Sequence, residues 1–271
     1  GQHLSDHLEW VKFSGIAWLG QKGFFYSRYD KPAEGTALTK KNTGHKVYFH
    51  RVGTPQSQDR LVFEQPQHPE RLASASVSDN ERWVFLYLSK GSAEGRKVLF
   101  KPAGKPEHDF RPLIDNFQHI NRVVHTADGR FYLHTNHEAP NFRLVRVNPE
   151  APAPANWTAL IPEQADKLDA VSAAGGVLFA KYLKDVAHVV KRHALDGSPQ
   201  GEIQLPGLGT VSGFGGLAED THTFFTFQSY TQPPVIYRYA IEDDERELFR
   251  QPELPFDPAE YTTERVFYKS F

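Results

Sequence analysis

The sequence predicts an all-β fold, a β-propeller built of four-stranded antiparallel blades, and three observations support this. Phe, Tyr and Trp make up 13% of the 271 residues, and aromatic side chains favour strands because they pack well on a half-buried pleated surface. Short apolar or alternating runs are separated by clusters of Gly, Pro, Asp and Asn, which is the pattern of strands and turns. The runs recur in groups of four at intervals of about forty to sixty residues, which is typical of propeller blades.

The groups share a recurring internal order of strands. The first strand is rich in small residues, the second is aromatic, the third ends in basic or polar residues, and the fourth is short. Small residues suit an innermost strand beside a crowded central channel, and an aromatic run suits a second strand that neighbouring blades cover on both faces. The predicted group starts are Phe13, Leu72, Asn121, Leu168 and Thr210.

The individual runs justify this assignment in chain order. The small-residue first strands are predicted at residues 13–19, 72–77, 171–174 and 210–216. The aromatic or alternating runs lie at residues 23–30, 46–52, 82–89, 130–136, 176–184, 221–228 and 235–241. A β-sandwich is the rival all-β architecture, but it would alternate more evenly and would not repeat the order of small and aromatic strands.

The same pattern predicts the organisation of the chain. We expect an N-terminal linker over residues 1–12, five blades over residues 13–256 and an exit segment over residues 257–271. The sequence begins at Gly1 without Met, and its last seven residues read as a strand that runs on. We therefore expect an excerpt of a longer protein, or an engineered piece of one.

Composition excludes several classes of function. The formal charge is −2 and no basic stripe is present, so no nucleic-acid partner is predicted. The longest apolar stretch, residues 170–180, is about half of a membrane span, so no membrane association is predicted. The chain has no Cys and therefore no disulfide, thiol nucleophile or thiolate metal site. We expect a cytoplasmic location, with the periplasm as the alternative.

Motifs for catalysis and cofactor binding are weak. A hydrolase nucleophile elbow needs G-x-S-x-G, which the sequence lacks, and the nearest pairs are at residues 91–92 and 212–213. Residues 213–218 match the loose dinucleotide pattern G-x-G-x-x-A, but a strand-like run follows where a phosphate site needs a helix N-terminus. We predict no catalytic residue and no cofactor in this chain.

Four histidines lie close together in the sequence. They are His119, His125, His134 and His137. The His-x-x-His spacing at a strand end points the two rings to different faces, and no carboxylate motif completes a ligand set. We predict surface histidines, solvated or hydrogen-bonded, and no metal site.

Three segments near the N-terminus resemble one family. Residues 11–19, 22–33 and 45–65, including GTPQSQD at residues 53–59, resemble the third propeller blade of prolyl oligopeptidases, especially bacterial ones. The resemblance continues through residues 139–148, 157–164, 180–191, 205–215, 228–240 and 264–271. In that family a seven-bladed propeller is inserted near the N-terminal side of an α/β-hydrolase domain, and the match covers the last five blades.

The resemblance also suggests substrate-binding positions. In the family an Arg on the loop after the second strand of the fourth blade contacts substrate, and Ser89 stands at that position here. Lys90 is the nearest cation in the loop, but it lacks the bidentate fork of arginine. Leu72 and Ser92 fall on two further pocket positions. A plain loop without substrate contacts remains the alternative.

Together these features predict a non-catalytic, substrate-gating portion of a prolyl oligopeptidase. The resemblance implies that the intact enzyme is a serine peptidase that cleaves short peptides after proline, with such peptides as partners reached through the hydrolase domain. The alternative is an excised or engineered five-bladed propeller that acts as a binding module or scaffold. Open blade edges would then favour self-association.

Overall fold

The computed structural model describes residues 4–35 and 41–269. Within them the chain forms five four-stranded antiparallel sheets, in each of which the strands follow one another in chain order. The predicted all-β class and the five four-stranded groups are confirmed. The ends of the predicted linker and exit segment, residues 1–3 and 270–271, lie outside the described residues. No helix in the described part is long and apolar enough to cross a membrane.

The strands have the following bounds. Sheet 1 contains β1 (Ala17–Trp18), β2 (Phe24–Arg28), β3 (Lys46–His50) and β4 (Arg60–Phe63). Sheet 2 contains β5 (Arg71–Val77), β6 (Trp83–Lys90), β7 (Arg96–Pro102) and β8 (Arg111–Ile114). Sheet 3 contains β9 (Asn121–Ala127), β10 (Arg130–Thr135), β11 (Arg143–Val147) and β12 (Thr158–Ile161).

The last two sheets follow the same plan. Sheet 4 contains β13 (Lys167–Ala174), β14 (Val177–Lys184), β15 (Ala187–Ala194) and β16 (Pro199–Glu202). Sheet 5 contains β17 (Thr210–Gly213), β18 (His222–Gln228), β19 (Val235–Ala240) and β20 (Glu245–Arg250). Short 3-10 helices occur at Gln56–Gln58, Pro154–Asn156 and Pro258–Glu260. The described residues fall into two compact units, one reaching residue 137 and including 147–157, the other containing 138–146 and the chain from 158 onward.

The core of the first unit is centred on the second strands of its sheets. Five consecutive residues of β6, residues 84–88, are buried, as expected for a strand that is covered on both faces. On β10, Phe131 is fully buried, and its ring lies 5.2 Å from Trp83, 5.0 Å from Phe85 and 5.1 Å from Phe100 between centroids. The aromatic runs thus supply large buried rings to this unit, beside a mainly aliphatic cluster that includes Val84, Leu86 and Leu88.

In the second unit a stack of aromatic rings lies in the core. Phe214 lies between Phe179 and Phe225, with centroid distances of 5.2 Å and 4.6 Å. Gly213 ends β17 with φ +114°, and a Cβ there would lie 2.4 Å from the carbonyl oxygen of Phe224. Gly213 therefore allows close strand approach, whereas a Cβ at Gly215 would meet nothing within 4 Å. A strand, β18, follows these glycines instead of a helix.

A buried polar network holds the segment around residue 6 onto sheet 1. The His50 side chain is fully buried, with Nδ1 2.7 Å from Asp59 Oδ1 and Nε2 2.9 Å from Asp6 Oδ1. Tyr26 Oη donates to Asp59 Oδ2 at 2.6 Å and accepts from Gln56 Nε2 at 3.0 Å. Because both neighbours of the imidazole are carboxylates, both ring nitrogens must donate, which requires the protonated form.

This network predicts a stability that depends on pH. Burial is the largest influence on the pKa of His50 and lowers it, but the hydrogen bonds to Asp6 and Asp59 outweigh burial and the net pKa is raised. A raised folded-state pKa stabilises the fold fully below the ordinary value of 6.5, and the contribution is lost as pH rises through the folded value. The hydrogen bond from His50 lowers the pKa of Asp6, whose contribution is lost in acid below its ordinary 3.8.

We therefore expect the free energy of unfolding to fall as pH rises above 6.5. Denaturant unfolding of the wild type and of His50→Gln, measured from about pH 5 to about pH 9, tests this. The variant should lose most of the decline, because its amide does not titrate. An equal decline in the two proteins would show that other groups control it.

Candidate functional site

The four predicted substrate-binding residues lie at one end of sheet 2. Leu72 of β5 is the cross-strand partner of Ser89 of β6, and both are half-buried. Lys90 ends β6 opposite Arg71, and Ser92 lies in the turn that follows; the side chains of Lys90 and Ser92 are exposed. The fold thus brings all four positions to one strand end and the adjoining hairpin. Their role in binding stays a prediction.

The hairpin between β6 and β7 has a defined shape. The backbone N–H of Ala93 donates to the carbonyl oxygen of Lys90 at 3.0 Å, which closes a tight turn. Gly91 within the turn has φ +54°, in the left-handed region, where glycine has no side chain to clash. Lys90 and Ser92 therefore project from a closed turn of fixed backbone geometry.

The loop between β8 and β9 supports this hairpin from one side. The backbone N–H of Arg96 donates to the carbonyl oxygen of His119 at 3.0 Å. Gly95 is buried, and a Cβ at this position would lie 2.1 Å from the carbonyl oxygen of Phe117. Only glycine allows the two backbones to approach this closely.

We expect Gly95→Ala to lower the free energy of unfolding by about 2 kcal/mol, because the added methyl group displaces backbone rather than a flexible side chain. Gly104→Ala is the matched control, since a Cβ at Gly104 meets nothing within 4 Å, and its change should stay below about 1 kcal/mol. Urea unfolding of both variants gives the comparison. Equal midpoints for the two variants would mean that the hairpin tolerates displacement.

Arg71 is a candidate residue that sequence reasoning missed. Its guanidinium carbon lies 4.9 Å from the centroid of the Phe117 ring, and its side chain is 14% exposed. Its Nε makes no hydrogen bond to any described residue, and the nearest carboxylate, on Glu70, is 3.8 Å from Nε. This end of the sheet therefore carries a planar guanidinium with several hydrogen-bond donors, which the ammonium group of Lys90 cannot replace. The β5–β6 register places Arg71 opposite Lys90, and the sequence of the hairpin alone does not indicate this position.

A row of half-buried rings borders the same end of the unit. The rings of His119 and His137 are 4.6 Å apart, and those of His137 and Trp157 are 5.4 Å apart. Asn121 Nδ2 donates to the carbonyl oxygen of His119 at 2.9 Å, which fixes the loop. We call His119, His137 and Trp157 the ring row. It offers planar surfaces against which an apolar group can pack.

The prediction of surface histidines was wrong for two of the four. His125 is 8% and His134 is 6% exposed, because their strands, β9 and β10, lie in the interior of the first unit. His125 Nδ1 is 3.3 Å from Asp79 Oδ2. Among the described residues, no group of three or more His, Cys, Asp or Glu side chains is arranged to hold a metal ion.

Five meanders of four antiparallel strands, each in chain order, define the class of the protein as a β-propeller. The sequence profile of the family described as prolyl oligopeptidase, N-terminal β-propeller domain, matches residues 1–252. The chain belongs to this family, and the resemblance seen in the sequence is confirmed.

Relatives support the assignment. The chain is 38% identical over 269 residues to the prolyl endopeptidase of Elizabethkingia miricola, covering 99% of this chain and 38% of that protein. It is 39% identical over 269 residues to the enzyme of Elizabethkingia meningoseptica, with the same shares covered. The chain thus spans 38% of the length of these relatives.

Solved structures agree with the fold. One comes from a study of two prolyl endopeptidases and the role of inter-domain dynamics in catalysis and specificity; it has 34% identity and a TM-score of 0.83, covering 94% of this chain and 36% of that one. Prolyl oligopeptidase B from Galerina marginata, bound to a 35mer hydrolysis and macrocyclization substrate, gives a TM-score of 0.85 at 23% identity, covering 94% and 37%. The propeller class predicted from the sequence is confirmed.

Proposed function

We propose that this propeller gates access of short proline-containing peptides to a serine-peptidase active site outside the 271 residues. The match itself carries the proposal, because it covers 99% of this chain and only 38% of a prolyl endopeptidase. The sequence has no G-x-S-x-G elbow for a hydrolase nucleophile. The contribution of these residues is therefore steric selection and substrate contact.

The end of sheet 2 supplies groups suited to peptide contact. The guanidinium of Arg71 can donate two parallel hydrogen bonds to a peptide carbonyl or terminal carboxylate. Lys90 adds a second positive charge on the neighbouring strand, and Leu72 offers an apolar side chain. Ser89 and Ser92 add short hydroxyl groups. We propose that these residues contact the peptide before or during its entry.

The isolated chain tests the first part of the proposal. We expect no turnover of a chromogenic proline-containing peptide by the purified 271-residue chain. Hydrolysis that co-purifies with the chain, and that an active-site serine reagent abolishes, would contradict a non-catalytic role.

A chimera tests the contact residues. In it, this chain replaces the aligned 269 residues of the Elizabethkingia miricola enzyme. We expect Arg71→Gln in the chimera to lower kcat/KM for a short peptide by about tenfold, mainly through KM. Lys184→Gln, an exposed cation on sheet 4, is the control and should change nothing. Equal kinetics for both variants would remove Arg71 from the proposal.

The outer edge strand of sheet 5 does not favour the self-association that the alternative scaffold function would use. All six residues of β20 are exposed, and four of them, Glu245, Arg246, Glu247 and Arg250, are charged. Charged edge strands disfavour edge-to-edge pairing. Self-association at blade edges stays a prediction, and sedimentation of the purified chain would test it.

A further inference from the structure

A cleft of about 500 Å³ lies beside sheet 1, in the first unit. It is bounded by the start of β2, the loop from β3 to β4 and the loop after β7, and so lies at the opposite end of β7 from the hairpin described above. We call it the basic cleft. Its lining residues include Leu19, Lys22, Phe25, Phe49, Arg51 and Arg60.

Five polar side chains line the basic cleft, and two of them, Thr54 and Gln58, are neutral. The other three are the cations Lys22, Arg51 and Arg60, and no acidic side chain lines the cleft. Within the described residues none of these three cations has a carboxylate within 4.0 Å. The three cations border one space and have no ion-pair partner among the described residues, and such a space attracts an anion.

The floor of the cleft is apolar and aromatic. Leu19 is 8% and Phe25 is 3% exposed. The rings of Phe25 and Phe49 lie 4.9 Å apart, and the guanidinium of Arg60 is 5.8 Å from the Phe49 centroid. A ligand here would meet the three cations and the half-buried ring of Phe49, since Phe25 and Leu19 are almost completely covered.

One wall is held in place by a buried lysine. Lys101 Nζ donates to the carbonyl oxygens of Pro106 and His108, each at 3.1 Å, and so fixes the loop after β7. Burial lowers the pKa of Lys101, and the positive charge of Arg60 lowers it further, against the opposing effect of Asp109 and Glu107. Arg60 is therefore close enough to repel the positive charge of Lys101, and a bound anion would reduce this repulsion.

We propose that the basic cleft binds a phosphate ester that carries an apolar or planar group. Three cations match the two negative charges of the phosphate group, and the half-buried ring of Phe49 offers an apolar surface to the organic part. The volume lies within the range of small-molecule sites. This site goes beyond the proposed gating function, since it is remote from the peptide-contacting end of sheet 2.

Isothermal titration of the 271-residue chain tests the proposal with two probes, phenyl phosphate and inorganic phosphate, at matched ionic strength. We expect saturable binding of phenyl phosphate with an affinity about tenfold above that of inorganic phosphate, and weakening of both at high salt. Arg60→Gln and Arg51→Gln should each weaken phenyl phosphate about fivefold. Lys184→Gln should leave the affinity unchanged.

Three results would overturn the proposal. They are the absence of saturable binding, an equal affinity for the two probes, and an unchanged affinity in both arginine variants. Circular dichroism and denaturant unfolding of the variants show whether the fold is retained. Because the substituted arginines are exposed, we expect wild-type unfolding midpoints, which separates lost binding from lost structure.

Discussion

Replacing His50 by alanine is expected to lower the free energy of unfolding by about 3 to 5 kcal/mol. The side chains of His50 and Asp59 are fully buried and lie 2.7 Å apart. Removing the imidazolium leaves the Asp59 carboxylate buried with only the Tyr26 hydroxyl as donor among these contacts. It also breaks the 2.9 Å contact to Asp6. Loss of one partner from a buried ion pair is costly because the other charge remains desolvated.

His68→Ala is the control for this substitution. The His68 side chain is 48% exposed, and its nearest carboxylate, on Glu70, lies 3.8 Å away. Exposed pairs of this kind contribute at most about 1 kcal/mol. Guanidinium unfolding below the ordinary histidine pKa of 6.5 gives the comparison. Equal losses for the two alanine variants would mean that the buried network does not stabilise sheet 1.

Phe131→Ala is expected to lower the free energy of unfolding by about 3 to 5 kcal/mol. The ring is fully buried and contacts Trp83, Phe85 and Phe100 at centroid distances of 5.0 to 5.2 Å. Truncation removes a large apolar surface from the core and leaves a cavity, since three rigid rings cannot collapse into the space.

Two substitutions control for this effect. Phe131→Leu keeps most of the apolar volume, so we expect a loss smaller by about half. Phe249→Ala removes the same ring from β20, where Phe249 is 60% exposed, and should cost less than about 1 kcal/mol. Urea midpoints and slopes for the three variants rank their losses in the free energy of unfolding. A Phe131→Ala loss as small as that of Phe249→Ala would place the core elsewhere.

The fold class was predictable because strand-forming runs are local. The aromatic run predicted at residues 82–89 became β6, Trp83–Lys90, with residues 84–88 buried. The small-residue run at residues 13–19 gave only the two-residue β1, and the side chains of Phe13 and Trp18 are 69% and 54% exposed. Local hydrophobicity shows that a segment can pair, but not whether a neighbouring element covers it.

The candidate sites depend on contacts between residues distant in the sequence. The sequence points to the β6–β7 hairpin, but the position of Arg71 opposite Lys90 follows from strand register. The His50 network joins residue 6 to residue 59 across 53 positions of the chain, and no local motif indicates such a pairing. The basic cleft likewise combines the approach to β2 with the loop after β7.

The gating role is tested most directly by one ratio measured on the chimera with the Elizabethkingia miricola enzyme. It is kcat/KM for a short proline-containing peptide divided by kcat/KM for an unfolded whole protein that contains the same site. Gating by the propeller predicts a ratio of about 100 or more, because the short peptide reaches the active site and the whole protein does not. A ratio near one, with both substrates cleaved at similar efficiency, would contradict the gating role.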